Sequence, residues 1–321
     1  MASHLTRRTA LTLGAGLLAA PALGQGARPV RLLVGFAPGG AADTIARLIA
    51  PRMGEHLGQT VVVENRSGAS STIAAGAVAQ APADGTTLLF ATLTHATNPF
   101  LFHGLPFDYA TAFAPISQVV IWPQILAVKT DFAARSFAEF LAKAKAAPGS
   151  ISYGTPGNAT AQHLAGEMLQ RAAGIRLTHV PYRGGADAAR DLSAGVIDAS
   201  FMTTSTALPV LSAGRARVLA AATPARLAAY PEAPTIAESG LPGFALSDWC
   251  ALFAPAATPA GTLEKTHAAL RFALEGPEVQ ARLRALSTEP VASTPADFAA
   301  FLAAESARLG QVIRDAGIRI G

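Results

Sequence analysis

From Val30 onward the chain alternates two kinds of pattern. Short apolar runs, VRLLV at residues 30–34 and TTLLFAT at 86–92, read as strands buried on both faces. Between them lie stretches with apolar residues at helical spacing. Ile45, Leu48, Ile49 and Met53 mark one face of a helix over 41–57, which Pro51 is expected to bend or interrupt. A strand at 61–64, a loop at 65–71 and a helix at 73–80 follow, and the PADG stretch at 82–85 is a turn signal. Two further strands, 116–121 and 125–129, are separated by Pro123. This alternation predicts an α/β architecture built on parallel sheet.

The pattern then restarts. Ser136 and Glu139 have the spacing of a capping box for a helix to about residue 147, broken by the Pro-Gly-Ser at 148–150. Strands at 151–153, 176–181, 196–201 and 217–223 alternate with helices at 161–173 and 186–194, which Gly174 and Gly195 end. An irregular stretch over 224–248 carries four prolines. After a strand at 249–254, TPAGT at 258 and TPAD at 294 each offer a threonine cap and a proline in the first helical turn, the last helix ending at Gly317. The restart predicts two α/β lobes, residues 25–121 with 253–321, and an inserted lobe over 122–252. The chain would cross between them at 116–128 and 249–255. Two connecting strands make a hinge, and a hinge between lobes makes a central cleft.

The first 24 residues stand apart. TRRTAL at 6–11 places paired arginines ahead of an apolar run too short to span a bilayer, with small residues at Ala22 and Gly24. This predicts an export signal, of the twin-arginine type or an ordinary secretory signal carrying Arg7 and Arg8, cleaved near Gly24. Its loss takes the formal charge from +4 to +2, so the exported body is close to neutral. With 50% hydrophobic residues the 321-residue chain can fill two cores. No basic stripe is present, which excludes nucleic acid as a partner. Cys250, the single cysteine, lies in the apolar run WCALF and is expected to be a buried small hydrophobe. No stretch after the leader has the length of a membrane helix, so a soluble periplasmic protein is expected.

Candidate chemistry concentrates in two glycine-rich turns. The first, APGGAAD at 37–43, and the second, GTPGNAT at 154–160, each follow a strand and open a helix. Helix-start amides lack intrahelical partners and carry the positive end of the dipole, and glycine lets a ligand approach the backbone. Each turn can therefore cradle an anionic oxygen, and one turn per lobe suits a mono-, di- or tricarboxylate held without lysine or arginine. The candidate ligand contacts are Phe36, Pro38, Gly39, Gly40 and Asp43 in the first turn, and Gly154, Thr155, Pro156, Gly157 and Asn158 in the second. Ser70, Thr94, His95, Thr203 and Thr204 follow other strands and fit the same rim. His163 faces either the cleft or its own packing, and Asp43 caps its helix or meets the ligand through water.

These motifs resemble the receptors of tripartite tricarboxylate transporters, the Bug family. The resemblance runs in order through FAPGGAAD with Arg47, ENRSGA at 64–69, APADGTTLL at 81–89, LPFD at 105–108 and FAPISQV at 113–119. It continues through YGTPG at 153–157 with HLAGE at 163–167, HVPYRG at 179–184, DLSAGVID at 191–198, PTIAESGLPG at 234–243 and LFAPAATP at 252–259. It implies a type II periplasmic binding fold that closes on a carboxylate, held by residues 38–43 and 154–158 partly through water. Delivery to a membrane transporter with a large and a small subunit is implied too. Arg183, where relatives often carry lysine, and Gly85-Thr86-Thr87, where they often carry Gly-Tyr-Thr, depart from the pattern without touching the cradles.

Catalytic residues, cofactor and metal are not expected. The chain lacks a G-x-S-x-G elbow, an H-E-x-x-H and a C-x-x-C, and its histidines have no metal-ligand spacing. The expected partners are a small carboxylate and, transiently, a membrane transporter, with the receptor acting as a monomer. A receptor that senses the acid for a membrane kinase would share the same fold and pocket.

Overall fold

The computed structural model describes residues 28–319, and the predicted export signal lies outside them. The first block runs β1 (Val30–Val34), α1 (Ala41–Leu57), β2 (Val61–Asn65), α2 (Thr72–Ala79), β3 (Thr87–Thr92), α3 (Thr94–Leu101) and β4 (Phe113–Trp122). The second runs β5 (Gln124–Lys129), α4 (Phe137–Ala146), β6 (Ser152–Thr155), α5 (Ala161–Ala173), β7 (Thr178–Pro181), α6 (Gly185–Ser193), β8 (Ala199–Thr203), α7 (Thr204–Ser212) and β9 (Ala216–Ala221). The chain then returns through β10 (Asp248–Pro255), α8 (Ala260–Leu274), α9 (Pro277–Ala285), β11 (Glu289–Pro290) and α10 (Pro295–Ala316).

Among the described residues these strands form a six-stranded sheet, β11-β4-β10-β3-β1-β2, and a five-stranded sheet, β7-β6-β8-β5-β9. Each sheet is the floor of one lobe. The sheets are mixed, where parallel sheet was expected. Only β2-β1-β3 and β7-β6-β8 run parallel; β10 is antiparallel to β3 and β4, and β5 is antiparallel to β8 and β9. β4 of the first sheet passes into β5 of the second through Pro123 alone. The chain leaves the first sheet at Pro123 and rejoins it at Asp248, after the proline-rich stretch that follows Ala221.

Burial explains why the apolar runs are continuous. Leu32 and Val34 face one cluster with Ile45, Ile49, Met53 and Leu270, while Leu33 faces a second cluster with Val78 and Leu89. That packing carries α1 through Pro51 as one helix. Cys250 is fully buried in β10. Ser136 caps α4 by accepting the Glu139 N–H, and the Glu139 carboxylate accepts the Arg135 N–H in return. Thr294 caps α10, whereas Pro259, not Thr258, precedes α8.

Three helices were not predicted. The segment after β3 is α3; Thr204–Ser212 is α7; and Pro277–Ala285 is α9. Proline inside α3 (Pro99) and α7 (Pro209) masks both in the sequence, because a helix-interior proline reads as a break. Among the described residues no helix is long and apolar enough to cross a membrane.

Candidate functional site

The first glycine-rich turn is held by its own helix. Asp43 accepts the Gly39 N–H at 2.9 Å, both of its oxygens accept the Arg47 Nε–H at 3.0 Å, and its Oδ1 accepts Asn65 Nδ2–H at 2.8 Å. Asn65 also donates to the Phe36 carbonyl at 3.0 Å. Burial alone would raise the Asp43 carboxyl, but the hydrogen bonds from Arg47, Gly39 and Asn65 outweigh it and hold the group below the usual carboxylate range. Asp43 thus shapes the turn and uses the Gly39 amide. The next amides remain for a guest: no side chain caps α1, and Gly40, Ala41 and Ala42 line a cavity.

Across the cleft stands a second helix start without a side-chain cap, that of α6 at Gly184–Gly185. The lobes are closed on each other there. The Ala37 N–H donates to the Arg183 carbonyl at 3.1 Å, and a Cβ on Gly40 would lie 3.6 Å from the Gly185 nitrogen. The starts of α5 and α7 border the same cavity through Thr160, Gln162, Thr203 and Thr206, with Thr160 and Thr203 capping their own helices. Phe36, Pro156, Phe201 and Met202 supply apolar walls, and Thr92, Trp122 and Asp248 lie at the ends of β3, β4 and β10. The cavity volume in this closed arrangement is about 40 Å³. Among the described residues lining it there is no lysine, arginine or histidine; Asp248 is the one charged side chain.

The predicted residues divide between this cavity and a second one that shares Phe36 and Pro156 with it. Phe36, Gly40, Pro156 and Thr203 line the first; Phe36, Ser70, Pro156, Gly157 and Asn158 line the second. Ser70 donates to the Asn158 carbonyl across the cleft, and Thr97 donates to the Ala159 carbonyl at 2.7 Å. Ser70 sits in an Ala69–Ser71 turn whose three residues all have positive φ (43, 51 and 74°). Asn98 steadies that turn by donating to the Ser70 carbonyl at 2.9 Å. Such backbone strain persists where surrounding contacts enforce it.

The remaining candidates lie off both cavities. Pro38 and Gly39 are exposed at the tip of the first turn. Gly154 is in β6, where a Cβ would press on Ile197 and Tyr182. Thr155 is hydrogen-bonded to His179 Nε2 at 2.6 Å, and Thr204 donates to the Leu286 carbonyl at 3.1 Å. Thr94 sits 3.2 Å from the Thr92 hydroxyl. His95 stacks on Phe253 at 3.9 Å, edge-on to Tyr109 and Phe113, and burial pushes its pKa down to about 3. His163 accepts the Ala159 N–H at 3.2 Å and stacks on His179 at 4.3 Å. Burial lowers His163 to about 4, and burial together with His163 lowers His179 to about 3, so both are neutral at pH 7.

Sequence reasoning missed the α6 start, Gln162, Trp122 and Asp248. The Gly184-Gly185 pair after a strand carried the same signal as the two turns that were singled out. Asp248, at the end of a proline-rich stretch, had no local signal at all.

Two lobes closed over a cavity ringed by helix starts define a solute-binding receptor of the periplasmic binding-protein type. The model of the tripartite tricarboxylate transporter family receptors matches residues 45–318, and the chain belongs to that family, within its Bug group. It is a family of binding receptors, not enzymes. The chain is similar to the R. palustris protein Rpa4515 solved with adipate, at 35% identity and TM-score 0.88, covering 92% of this chain and 99% of that one. The periplasmic binding protein BugD is 32% identical at TM-score 0.88, with 91% and 99% covered. MatC from Rhodopseudomonas palustris, solved with bound malate, is 31% identical at TM-score 0.85, with 89% and 99% covered.

Proposed function

We propose that the protein is a periplasmic receptor that captures a small organic acid between its lobes and delivers it to a tripartite tricarboxylate-type membrane transporter. One observation carries this reading. The starts of α1 and α6, one from each lobe and neither capped by a side chain, meet at a cavity lined by no cation among the described residues. Two positive dipole ends brought together repel, and an anion between them turns that repulsion into attraction. The ligand's charge therefore closes the lobes. The adipate and malate in the two similar structures support a carboxylate as the guest.

On this reading residues 28–122 with 248–319 form one lobe and 123–247 the other, the leader is removed on export, and the receptor works as a monomer. Gly40, Phe36, Pro156 and Thr203 contact the ligand, while Ser70, Gly157 and Asn158 form the closing seam behind it. The test is a thermal-shift screen of linear, branched, aromatic and tricarboxylic acids, since a ligand that binds only the folded state raises its melting temperature. A rise with one or more carboxylates is expected. Rises confined to sugars, cations or peptides overturn the proposal.

A further inference from the structure

The cavity has an acidic corner that a plain anion does not explain. Asp248 is buried at the start of β10, where its Oδ1 accepts the Trp249 N–H at 2.9 Å and its Oδ2 accepts Gln162 Nε2–H at 3.1 Å. The Leu93 backbone N–H also bears on the carboxylate, and since a carboxylate has about four acceptor sites, capacity remains on a residue that lines the cavity. Its cross-strand partner is Trp122 on β4, which lines the same cavity and is fully buried. The Trp122 Nε1–H has no hydrogen-bond partner among the described residues. A buried orphan donor thus stands beside an acceptor that has spare lone pairs.

We propose that Asp248 and Trp122 together read a hydroxyl group on the bound acid, so that the preferred ligand is a hydroxycarboxylate. This rests on the carboxylate-receptor reading above. The hydroxyl is the group that satisfies both residues, donating to the Asp248 carboxylate and accepting from the Trp122 N–H. An ammonium group only donates and leaves Trp122 orphaned. A second carboxylate only accepts and meets Asp248 charge to charge. Burial, with Glu305 adding like charge, pushes Asp248 up to about 6, which leaves it an anion and a pure acceptor at pH 7.5 and above. The carboxylate end of the ligand faces the starts of α1 and α6, and the hydroxyl faces the strand ends.

The experiment is calorimetric titration at pH 8 with matched pairs: propionate and lactate, succinate and malate, glutarate and 2-hydroxyglutarate, with aspartate and glutamate as amino counterparts. In the wild type the hydroxy member of the best-bound pair is expected to bind about tenfold tighter or more, with the amino member between. Asp248→Asn, isosteric and relieved of a buried charge, is expected to reduce that preference severalfold. Trp122→Phe, which removes the N–H, is expected to weaken the hydroxy acid more than its amino counterpart and so narrow the hydroxyl preference. Equal affinities within every pair, a preference for the unsubstituted acid, or a preference intact in both variants overturns the proposal. Absence of binding by these acids together with a thermal-shift screen blank for every carboxylate instead overturns the carboxylate reading on which it stands.

Discussion

Replacing Gly184 with alanine tests lobe closure at one atom. The residue is extended at φ −177°, a conformation any residue adopts, so the substitution adds no backbone strain. The new Cβ would stand 2.9 Å from the Ala37 Cβ and 3.1 Å from the Ala37 nitrogen, across the cleft. Carbon atoms rest at about 3.5–4.0 Å, so the lobes must part by about half an ångström to an ångström beside the cavity. Overpacking of this kind costs about 1–3 kcal/mol, which weakens Kd roughly five- to 150-fold. The open receptor has no such contact, so the ligand-free melting temperature is expected to stay at the wild-type value. At a ligand concentration of about 100 Kd the wild type gains about 2.7 kcal/mol, and a variant bound tenfold more weakly gains about 1.4. The assay is calorimetric titration with the acid that raises the wild-type melting temperature most, alongside thermal unfolding with and without it. Gly261→Ala, on α8 with nothing within 4 Å of a new Cβ, is the control. Wild-type affinity in Gly184→Ala would refute the argument, because closure would then not bring Ala37 against Gly184.

Other substitutions and conditions separate turn shaping from binding. Asp43→Ala removes the carboxylate that accepts from Gly39, Arg47 and Asn65 and is expected to cost about 1–3 kcal/mol of stability, read from urea unfolding. The depressed Asp43 carboxyl contributes stability that is complete above its ordinary value of 3.8 and is lost as pH falls through its lower folded value. The unfolding midpoint of Asp43→Ala should therefore fall less steeply than the wild type's below that pH. His95, His163 and His179 are held neutral by burial, so an unfolded chain takes up protons first as pH falls below 6.5. The urea midpoint is expected to drop between pH 6.5 and pH 5 while imidazole NMR signals of these three stay neutral; charged signals at pH 5 would contradict the burial argument. Gly35→Ala places a Cβ inside Ser71 and should destabilise by about 3 kcal/mol, whereas Gly261→Ala in the first turns of α8 should be neutral or stabilise by up to about 1 kcal/mol.

Periodicity, glycine and threonine placed most of the elements, and they did so through local physics. The α5 helix begins and ends where Thr160 and Gly174 stand because an N-cap and a left-handed C-cap are decided within a few residues. Strand direction was not local. β10 reads as a strand from its apolar run, yet only its place between β3 and β4 makes it antiparallel. The helices α3 and α7 stayed hidden behind Pro99 and Pro209, whose missing bonds the surrounding packing tolerates.

The amino-acid order alone determined that strands end in glycine-bearing turns that open helices, and that two such blocks exist along the chain. It thereby determined the chemistry of exposed amides, since a helix start is unpaired wherever it occurs. Tertiary structure decided which amides meet. It turned His95 into an aromatic box and His163 onto His179, spent the Gly39 amide on Asp43, and set the α6 start, unnoticed in sequence, against that of α1. It also carried Asp248 to Trp122 and Gln162, residues distant in sequence. Such meetings depend on long-range sheet register and on how the lobes close, and no neighbouring residue records either.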